Sequence, residues 1–325
     1  MSAWPISFDD VLHARQRIKP HLEPTPLRQY PALDAAVGGG IRVLVKHENL
    51  NPTGAFKVRN GLSAVGALTL EERAKGVVAA STGNHGQGLA FAGLRLNVPV
   101  TVCVPVGNNP EKNEAMRGFG AEVIEEGKDY DESTGVADRL VRERGLRLVH
   151  STNDKDVVAG AGTIALEVLE QASQLDAMVV AVGGGSQAVG TMTVARKLMP
   201  GLRVYAVQAE GAAASHDSWH AKKPVEVPSA GTFAEGLATR KAYEMTLPAL
   251  IEGLAGFVTV SDAELAEAMR ILLRTTHTLV QGAGAAGLAG LLKLRDQLAG
   301  KSVAIILSGA NIDSATLRRV LNREI

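Results

Sequence analysis

The stretch MVVAVGGGSQAVG, residues 178–190, joins an apolar run, a glycine loop and the start of a helical pattern. Valine-rich runs of this length are typical of strands buried in a parallel sheet. Similar runs alternate with helical patterns of ten or more residues over most of the chain, which indicates an α/β protein with a largely parallel sheet. The predicted strands are 76–80, 99–104, 121–125, 147–150, 178–182, 203–208 and 303–307.

Two helix starts are marked by capping boxes, in which a Ser or Thr precedes a Glu by three positions. Thr69 with Glu72 and Ser261 with Glu264 have this spacing. The polar segment 211–231 has no such pattern and is predicted to be an extended surface excursion. After Ser261, four apolar residues are expected on one helical face: Leu265, Met269, Leu272 and Leu273.

The composition argues against several classes of function. The 325 residues include 34 Lys plus Arg and 34 Asp plus Glu, so no net field favours nucleic acid or an anionic membrane. Aromatic residues are only 4%, which argues against base-stacking surfaces. The single cysteine, Cys103, excludes an intramolecular disulfide. Because Asp9 and Asp10 precede any apolar stretch, there is no signal-peptide core, and a soluble, cytoplasmic protein is predicted.

The glycine loop at 183–186 follows a predicted strand and precedes a helix, where backbone N–H groups bind anions. A dinucleotide fingerprint is absent, because the spacing to Gly190 is wrong and the next strand ends in Gln208 instead of an acid. No Gly-Lys-Ser/Thr follows a glycine run, so the P-loop pattern is absent too. The loop is predicted to hold a monophosphate, with a packing turn as the alternative.

Three further features complete a candidate site. NPTGAFKVRN at 51–60 places Lys57 behind a turn and at the start of a helical pattern. STGNHGQG at 81–88 offers hydroxyl, amide and helix-start N–H donors to a carboxylate, and His85 within it is either a catalytic group or a loop anchor. Ser308 ends a predicted strand. An amine, a monophosphate cup, a carboxylate loop and a strand-end hydroxyl together suit pyridoxal phosphate.

In this combination the sequence resembles the fold-type II pyridoxal-phosphate enzymes, in the serine/threonine dehydratase (ammonia-lyase) and serine racemase group. The resemblance runs from EPTPL at 23–27 almost to the C-terminus. It implies a tryptophan synthase beta-like α/β fold of two domains, each with a parallel-rich twisted sheet flanked by helices. The larger, cofactor-binding domain would comprise residues 1–51 and 153–325, and the smaller, substrate-carboxylate domain residues 52–152.

The resemblance also implies individual roles. Lys57 in TGAFKVR would hold the cofactor as a Schiff base, with Phe56 beside the ring. Ser308 in SGAN would hydrogen-bond the pyridine nitrogen. The other cofactor-binding residues would be Asn84, Gly183, Gly184, Gly185 and Ser186, and the substrate carboxylate would be bound by Ser81, Thr82, Gly83, Asn84 and His85.

A serine at position 308 leaves the pyridine nitrogen largely neutral, and the chemistry that the resemblance then implies is β-elimination. Lys57 would remove the Cα proton as general base, and the β-hydroxyl would leave with the phosphate as acid. The products would be a 2-oxo acid and ammonia. L-Threonine and L-serine are the predicted substrates, since no arginine is obviously aimed at the second carboxylate that 3-hydroxyaspartate carries.

Three alternatives stay open. A serine racemase with dehydratase side activity is disfavoured because Thr82 stands where the racemases have a serine, and its methyl group makes it a poor proton relay. A β-replacement enzyme, as in cysteine synthesis, is compatible with the hydroxyl-rich loop, although GNHGQG fits the dehydratases better. A non-catalytic binding protein would not need Lys57, Asn84 and Ser308 together.

A few residues depart from the family pattern or carry two interpretations. Gln281 stands where a glutamate is usual, and Asn60 stands where a glycine is common. Glu235 in TFAEG is interpreted either as part of a loop that approaches the cofactor or as a carboxylate that stabilises its own loop. Their roles depend on the tertiary structure.

The divalent-cation site of the group would map to Glu210 and the Ala214 carbonyl, with His216 beside Asp217 at the third position. Magnesium or calcium is therefore a candidate second cofactor. The spacing of His216 and His220 also fits zinc, but solvated loop histidines are the favoured interpretation.

The predicted partner is a small amino-acid substrate, without nucleic acid or membrane, and relatives suggest a homodimer. Biosynthetic threonine dehydratases append an amino-acid-sensing domain, for which no residues remain after position 325. The expectation is therefore a catabolic or specialised enzyme without that form of feedback control.

Overall fold

The computed structural model describes residues 4–325, whose strands form a six-stranded and a four-stranded sheet. The strands are β1 (Leu27–Gln29), β2 (Arg42–Lys46), β3 (Val77–Ala80), β4 (Val100–Val104), β5 (Glu122–Glu125), β6 (Arg147–Leu148), β7 (Ala177–Ala181), β8 (Arg203–Ala209), β9 (Gly256–Val260) and β10 (Ser302–Ile306). The larger sheet has the order β1-β2-β10-β7-β8-β9, and the smaller β5-β4-β3-β6. Every pairing is parallel except β1 with β2.

The predicted strands are all found, although the run at 147–150 shrinks to a two-residue strand. Three strands were missed: β1, β2 and β9. Successive residues of the larger sheet enter opposite cores, as Met178 and Val180 pack on one face and Val179 on the other. Because both faces of the larger sheet are buried, the sequences of its inner strands are continuously apolar.

Helices cover the sheets and connect the strands. They are α1 (Phe8–Ile18), α2 (Pro31–Val37), α3 (Lys57–Gly66), α4 (Leu70–Lys75), α5 (Asn84–Leu96), α6 (Pro110–Gly118), α7 (Tyr130–Arg144), α8 (Lys155–Gln171), α9 (Ser186–Leu198), α10 (Ala214–Ala221), α11 (Leu247–Gly253), α12 (Asp262–Thr276), α13 (Gly282–Lys293) and α14 (Ser314–Leu321). Short 3₁₀ turns lie at Glu48–Leu50, Glu210–Ala212 and Glu235–Leu237. Within residues 4–325, no helix combines the length and hydropathy needed to cross a membrane.

Both predicted capping boxes are present, at the starts of α4 and α12. On α12, Leu265, Met269 and Leu272 are buried as expected, but Leu273 is 38% exposed. The expectation for Leu273 was wrong because it lies about 100° around the helix from Leu272.

The extended excursion predicted at 211–231 is also wrong, because α10 occupies part of it. The indole Nε1 of Trp219 donates a hydrogen bond to the Leu250 carbonyl at 2.9 Å, and its ring packs against Phe257. This helix is held by contacts with distant segments, which a local pattern does not reveal.

Helices α3 and α5 touch through their backbones. A Cβ on Gly61 would lie 2.2 Å from the Gly88 carbonyl oxygen, and one on Gly88 would lie 2.4 Å from the Lys57 carbonyl oxygen. Only glycine allows this approach. The contact brings the starts of both helices, with Lys57 and Asn84, to one place.

A buried ion cluster anchors α3 to the larger sheet and to α8. The Arg59 guanidinium donates to both oxygens of Glu48, at 2.7 and 2.9 Å, and to both oxygens of Glu167, at 2.6 and 2.8 Å. The Lys46 ammonium donates to Glu167 at 2.6 Å. Because all four charges are paired, the helix that carries Lys57 has a fixed position.

The division into residues 1–51 with 153–325 and residues 52–152 stays a prediction. The strands of the smaller sheet run from β3 to β6 and therefore lie within 52–152. Helix α3 lies in the same range and also packs against α8.

Candidate active site

A cavity of about 590 Å³ is lined by the loops that follow the carboxyl ends of strands in both sheets. Parallel strands place these loops together, which is where open α/β sheets bind ligands. All the residues predicted to bind cofactor or substrate line this cavity: Phe56, Lys57, Ser81, Thr82, Gly83, Asn84, His85, Gly183, Gly184, Gly185, Ser186 and Ser308.

Lys57 is the first residue of α3, as the turn before it predicted. The turn is tied to the strand end, since the Phe56 amide donates to the Ser308 carbonyl at 3.0 Å. Gly54 has a φ of +65° and the Asn311 amide donates to the Thr53 carbonyl at 2.8 Å. These contacts present the lysine at a defined place on the cavity wall.

The Lys57 ammonium donates to the Ser151 carbonyl at 3.1 Å and lies 5.1 Å from the centre of the Phe56 ring. Loss of hydration lowers the pKa of Lys57 from 10.5 to about 8. A substantial fraction of this amine is therefore neutral near pH 8, as a nucleophile or base requires.

The glycine loop is shaped by close backbone approach. Gly185, with a φ of +97°, caps α9, whose first residue is the buried Ser186. A Cβ on Gly183 would lie 2.4 Å from the Gly236 carbonyl oxygen, and one on Gly184 would lie 2.0 Å from the Thr152 hydroxyl. Side chains at these two positions would collide with Gly236 and Thr152, so glycine lets the loop and the helix-start N–H groups of α9 lie close to the other residues that line the cavity.

Asn84 is held by two residues that the sequence reasoning did not assign to the site. Its amide donates to Gln281 Oε1 at 3.1 Å, and its own Oδ1 accepts from Asn311 at 2.7 Å. Gln281, the residue that departs from the family glutamate, also accepts from the Asn311 backbone at 3.1 Å. Ser308 lies close by and donates to the Ala283 carbonyl at 3.2 Å.

The carboxylate loop is folded around Ser81, whose hydroxyl accepts from the Gly83 and Gly86 amides at 3.2 and 2.9 Å. His85 Nε2 is 2.9 Å from the Val149 carbonyl, which only accepts, so this nitrogen carries the proton. Burial and the nearby Lys57 charge lower the pKa of His85 to about 3. Of the two interpretations of His85, the contacts match a neutral loop anchor.

One ion pair joins two residues that line the cavity, and a second joins the sequence neighbours of the lining residues Tyr130 and Thr239. Lys112 of α6 lies 2.6 Å from the Glu235 carboxylate, beside Gly83 of the carboxylate loop. Arg240 pairs with Asp131 of α7. Glu235 therefore joins its own loop to α6 on the other side of the cavity. Neither sequence interpretation describes this contact fully, because the partner, Lys112, is 123 positions away.

The cavity also has an aromatic side that sequence reasoning missed. Tyr130 and Tyr243 line it, and the Tyr243 ring packs edge-on against His150 at 5.3 Å. Burial, with Tyr130 nearby, raises the pKa of Tyr243 to about 12. Both phenols therefore stay protonated and can donate hydrogen bonds at neutral pH.

The predicted cation residues lie outside the cavity. Glu210 pairs with Lys293 at 3.6 Å, and the Ala214 carbonyl accepts from Ser218 at 2.7 Å. Among residues 4–325, no group of three or more His, Cys, Asp or Glu is arranged to hold a metal. The cation site at Glu210 and Ala214 stays a prediction.

The two histidines of that region are not on a solvated loop, so this expectation was wrong. His216 and His220 lie on α10 with ring centres 4.4 Å apart, and His216 is hydrogen-bonded to Asp217 at 2.9 Å. His216 is half-buried because its ring also packs against Phe257.

The pyridoxal-phosphate dependent enzyme family matches residues 18–309. This chain belongs to that family. The L-threo-3-hydroxyaspartate ammonia-lyase of Saccharomyces cerevisiae is 36% identical over 307 residues, which cover 94% of each chain. The L-threonine ammonia-lyase of Geobacter sulfurreducens is 41% identical over 285 residues, 87% of this chain and 71% of the relative. The structure of maize serine racemase has a TM-score of 0.93 at 30% identity, covering 99% of this chain and 98% of the racemase.

These matches confirm the resemblance and the fold class predicted from the sequence, a fold-type II pyridoxal-phosphate enzyme. The predicted enzyme class, a carbon–nitrogen lyase, agrees with both relatives, which are ammonia-lyases. The residues present fit the cofactor. The half-buried Lys57 amine, whose pKa is lowered to about 8, lines the same cavity as the glycine loop at 183–186, and only glycine fits at Gly183 and Gly184.

Proposed function

We propose that this pyridoxal-phosphate enzyme is an ammonia-lyase that converts a β-hydroxy L-amino acid to a 2-oxo acid and ammonia, with L-threonine and L-serine as its substrates. One observation carries the proposal: the Lys57 amine, with a pKa of about 8, shares one cavity with the glycine cup and Ser308. A binding protein would need no base at that place.

Bound pyridoxal phosphate would supply an aldehyde that links to amines and a ring that accepts the electrons of the broken Cα–H bond. Lys57 Nζ would hold the aldehyde, and its neutral amine would take the Cα proton of the bound amino acid. The glycine cup, from Gly183 to Ser186, binds the phosphate through the helix-start amides of α9.

Orientation around the ring is proposed to come from neutral groups. Asn84 keeps one amide hydrogen free of Gln281, which could be donated to the ring hydroxyl, and Phe56, next to Lys57 in the cavity lining, would border the ring. Ser308, whose hydroxyl donates to the Ala283 carbonyl at 3.2 Å, would turn this proton to the pyridine nitrogen when the cofactor binds. A carboxylate there would keep that nitrogen protonated, and a hydroxyl would therefore favour expulsion of the β-substituent. Ser81, Thr82 and the following amides bind the substrate carboxylate at the start of α5.

A second candidate substrate is 3-hydroxyaspartate. The sequence disfavoured it because no arginine is aimed at a second carboxylate, but Lys112 lines the cavity, with the aliphatic part of its side chain beside Gly83 and its ammonium paired with Glu235. The Saccharomyces cerevisiae relative named for this substrate matches over 94% of both chains. A serine racemase activity is disfavoured by Thr82, although a racemase has a similar structure.

The test is 2-oxo acid release from L-threonine, L-serine and L-threo-3-hydroxyaspartate. Lys57→Ala is expected to abolish release, and Lys75→Ala, at an exposed lysine paired with Glu71, is expected to leave it unchanged. Lys112→Ala and Glu235→Gln both break the Lys112–Glu235 pair, so the comparison between them separates the substrates. If hydroxyaspartate uses the ammonium, Lys112→Ala should impair its turnover much more than Glu235→Gln does, while the two variants should affect L-threonine and L-serine alike. No 2-oxo acid from any of the three by the cofactor-loaded enzyme would overturn the proposal.

The cytoplasmic location and the homodimer stay predictions from the sequence and its relatives. Sedimentation of the purified enzyme would measure its oligomeric state directly. A mass of twice 34.0 kDa is expected for the dimer.

A further inference from the structure

Two partly exposed tyrosine side chains line the cavity. Tyr130, the first residue of α7, is 36% exposed, and Tyr243 is exposed to an intermediate degree. Tyrosine rings in a cavity wall offer a ligand a large, rigid apolar surface. The elimination proposed above gives neither ring a role.

An ion pair joins the two segments that carry these rings. Arg240, three positions before Tyr243, pairs with Asp131, which directly follows Tyr130. The pKa of Tyr243 is raised by burial and also by Tyr130, which places the two phenols near each other. Tyr130 and Tyr243 therefore form one surface of the cavity, the aromatic wall.

One end of the aromatic wall lies beside the Lys57 amine. The Ser151 carbonyl accepts from Lys57 at 3.1 Å. Burial raises the pKa of the Tyr130 phenol, and a hydrogen bond to the Ser151 side chain lowers it. Ser151 thus contacts both the base and the first ring, and all three residues line the cavity.

The other end of the aromatic wall lies beside the glycine cup. The Tyr243 carbonyl accepts from the Thr246 amide at 3.2 Å, and the Thr246 hydroxyl donates to the Gly184 carbonyl at 2.7 Å. The aromatic wall therefore occupies the part of the cavity between the amine and the cup.

The proposed elimination leaves this direction to the carbon substituent at the substrate's Cβ. The substrate amine would go to the cofactor aldehyde and the carboxylate to the loop at 81–85. The Cα–H bond would point to Lys57, and the β-hydroxyl would point to the phosphate at the glycine cup. A group attached beside that hydroxyl would then lie between the amine and the cup, where the two rings are.

We infer that the aromatic wall binds the β-substituent of the substrate, and that the enzyme acts on β-hydroxy L-amino acids with an aromatic ring at Cβ. L-threo-3-Phenylserine is the simplest of these. The inference rests on the proposed elimination and adds a substrate class to it. A methyl group covers little of two rings, whereas an aromatic ring packs against each, a preference of about two- to tenfold per ring pair.

The reaction balances with this substrate. The Cα–H and Cβ–O bonds break, the electron pair of the Cα–H bond forms the Cα–Cβ double bond, and hydroxide leaves with a proton as water. Addition of water at Cα then releases ammonia and gives phenylpyruvate. No oxidant or reductant is needed.

The first test measures kcat/KM for 2-oxo acid release from L-threo-3-phenylserine and from L-threonine. Tyr130→Leu and Tyr243→Leu each remove a ring and keep apolar bulk, so each should lower the ratio of phenylserine to threonine about two- to tenfold. Tyr130→Phe and Tyr243→Phe keep the ring and should retain the ratio. Tyr30→Leu is the matched control and should retain it too, because Tyr30 contacts His47 outside the cavity lining.

A second measurement needs no turnover. L-Phenylalanine and L-alanine lack the β-hydroxyl that leaves, so their binding to the cofactor-loaded enzyme is followed by the change in cofactor absorbance. The wild type is expected to bind L-phenylalanine at least about fivefold more tightly than L-alanine. Tyr130→Leu and Tyr243→Leu should each reduce this preference, and Tyr30→Leu should not.

The inference is overturned if L-threonine yields a 2-oxo acid and L-threo-3-phenylserine yields none, or if both Leu variants of the wall leave the two ratios unchanged. Failure of the proposed function looks different, because no 2-oxo acid would then form from any β-hydroxy amino acid. In that case a preference for L-phenylalanine that is lost in the Leu variants still supports the aromatic wall, and its absence overturns it.

Discussion

Lys112 and Glu235 face each other across the mouth of the cavity, with 2.6 Å between the ammonium nitrogen and a carboxylate oxygen. Lys112 belongs to α6 beside the smaller sheet, and Glu235 belongs to a 3₁₀ turn beside the larger one. The pair joins the two walls, and it must separate if they move apart to admit substrate.

If substrate is held in the closed arrangement, Glu235→Gln removes an interaction that stabilises it and is expected to raise the KM by up to about fivefold, because a half-exposed ion pair contributes at most about 1 kcal/mol. Steady-state kinetics of 2-oxo acid release measure this. Glu71→Gln removes an exposed ion pair of α4 with Lys75 and should leave KM unchanged. An unaltered KM in Glu235→Gln would show that the pair does not hold the mouth closed.

The depressed pKa of Lys57 predicts how cofactor capture depends on pH. Only the neutral amine attacks an aldehyde, and this amine loses its proton near pH 8 instead of 10.5. The rate at which cofactor-free enzyme captures pyridoxal phosphate should rise with pH and level off above a midpoint of about 8. Stopped-flow absorbance measures the rate, and a midpoint near 10.5 would contradict the buried environment of the amine.

His85 predicts a loss of stability in acid. Its pKa is about 3 in the folded protein against 6.5 for the free side chain, so below pH 6.5 the unfolded chain binds a proton that the folded chain does not. The contribution of neutral His85 to the free energy of unfolding is therefore fully present above pH 6.5 and is lost as the pH drops toward 3, by about 5 kcal/mol in total.

Urea unfolding at pH 7 and pH 4.5 should show this fall in the wild type and a smaller fall in His85→Asn. Replacing the exposed His13 by Gln serves as the control and should retain the wild-type difference between the two pH values. An equal fall in all three proteins would assign the acid sensitivity to other groups.

The buried ion cluster predicts a large effect from one substitution. Arg59→Met leaves the carboxylates of Glu48 and Glu167 buried with Lys46 as the remaining cation, and should lower the free energy of unfolding by about 3–5 kcal/mol. Urea denaturation measures it. Arg139→Met, at an exposed pair with Glu126, should cost less than about 1 kcal/mol.

Most of the sheet could be predicted from the sequence, because strands buried on both faces are continuous apolar runs and each is followed by its own turn. The missed β2 shows where this fails. Its sequence ends in Lys46, and a lysine taken alone indicates an exposed position. The Lys46 ammonium is nevertheless fully buried, because it pairs with Glu167, which is 121 positions away. A charge is buried only where a distant partner makes that favourable.

The site was predictable for the same local reason. The motifs around Asn84 and Gly183 combine a strand end with a helix start, Ser308 follows the end of a strand, and Lys57 begins a helix after a turn. Parallel strands bring such ends to one edge, where all four residues line the cavity. Gln281, Asn311 and the Lys112–Glu235 pair carried no local signal, since each acts through a side-chain contact with a residue remote in sequence.

By itself the sequence determined the α/β architecture and the place of the lysine, because these follow from local periodicity and turn chemistry. The family was indicated by the resemblance of its motifs and is shown by the match over residues 18–309. The tertiary structure alone decided that α10 forms within 211–231, that His85 is neutral, and which residues close the cavity. Those features depend on burial and on distances between side chains far apart in the chain, and both are created only when the two sheets come together.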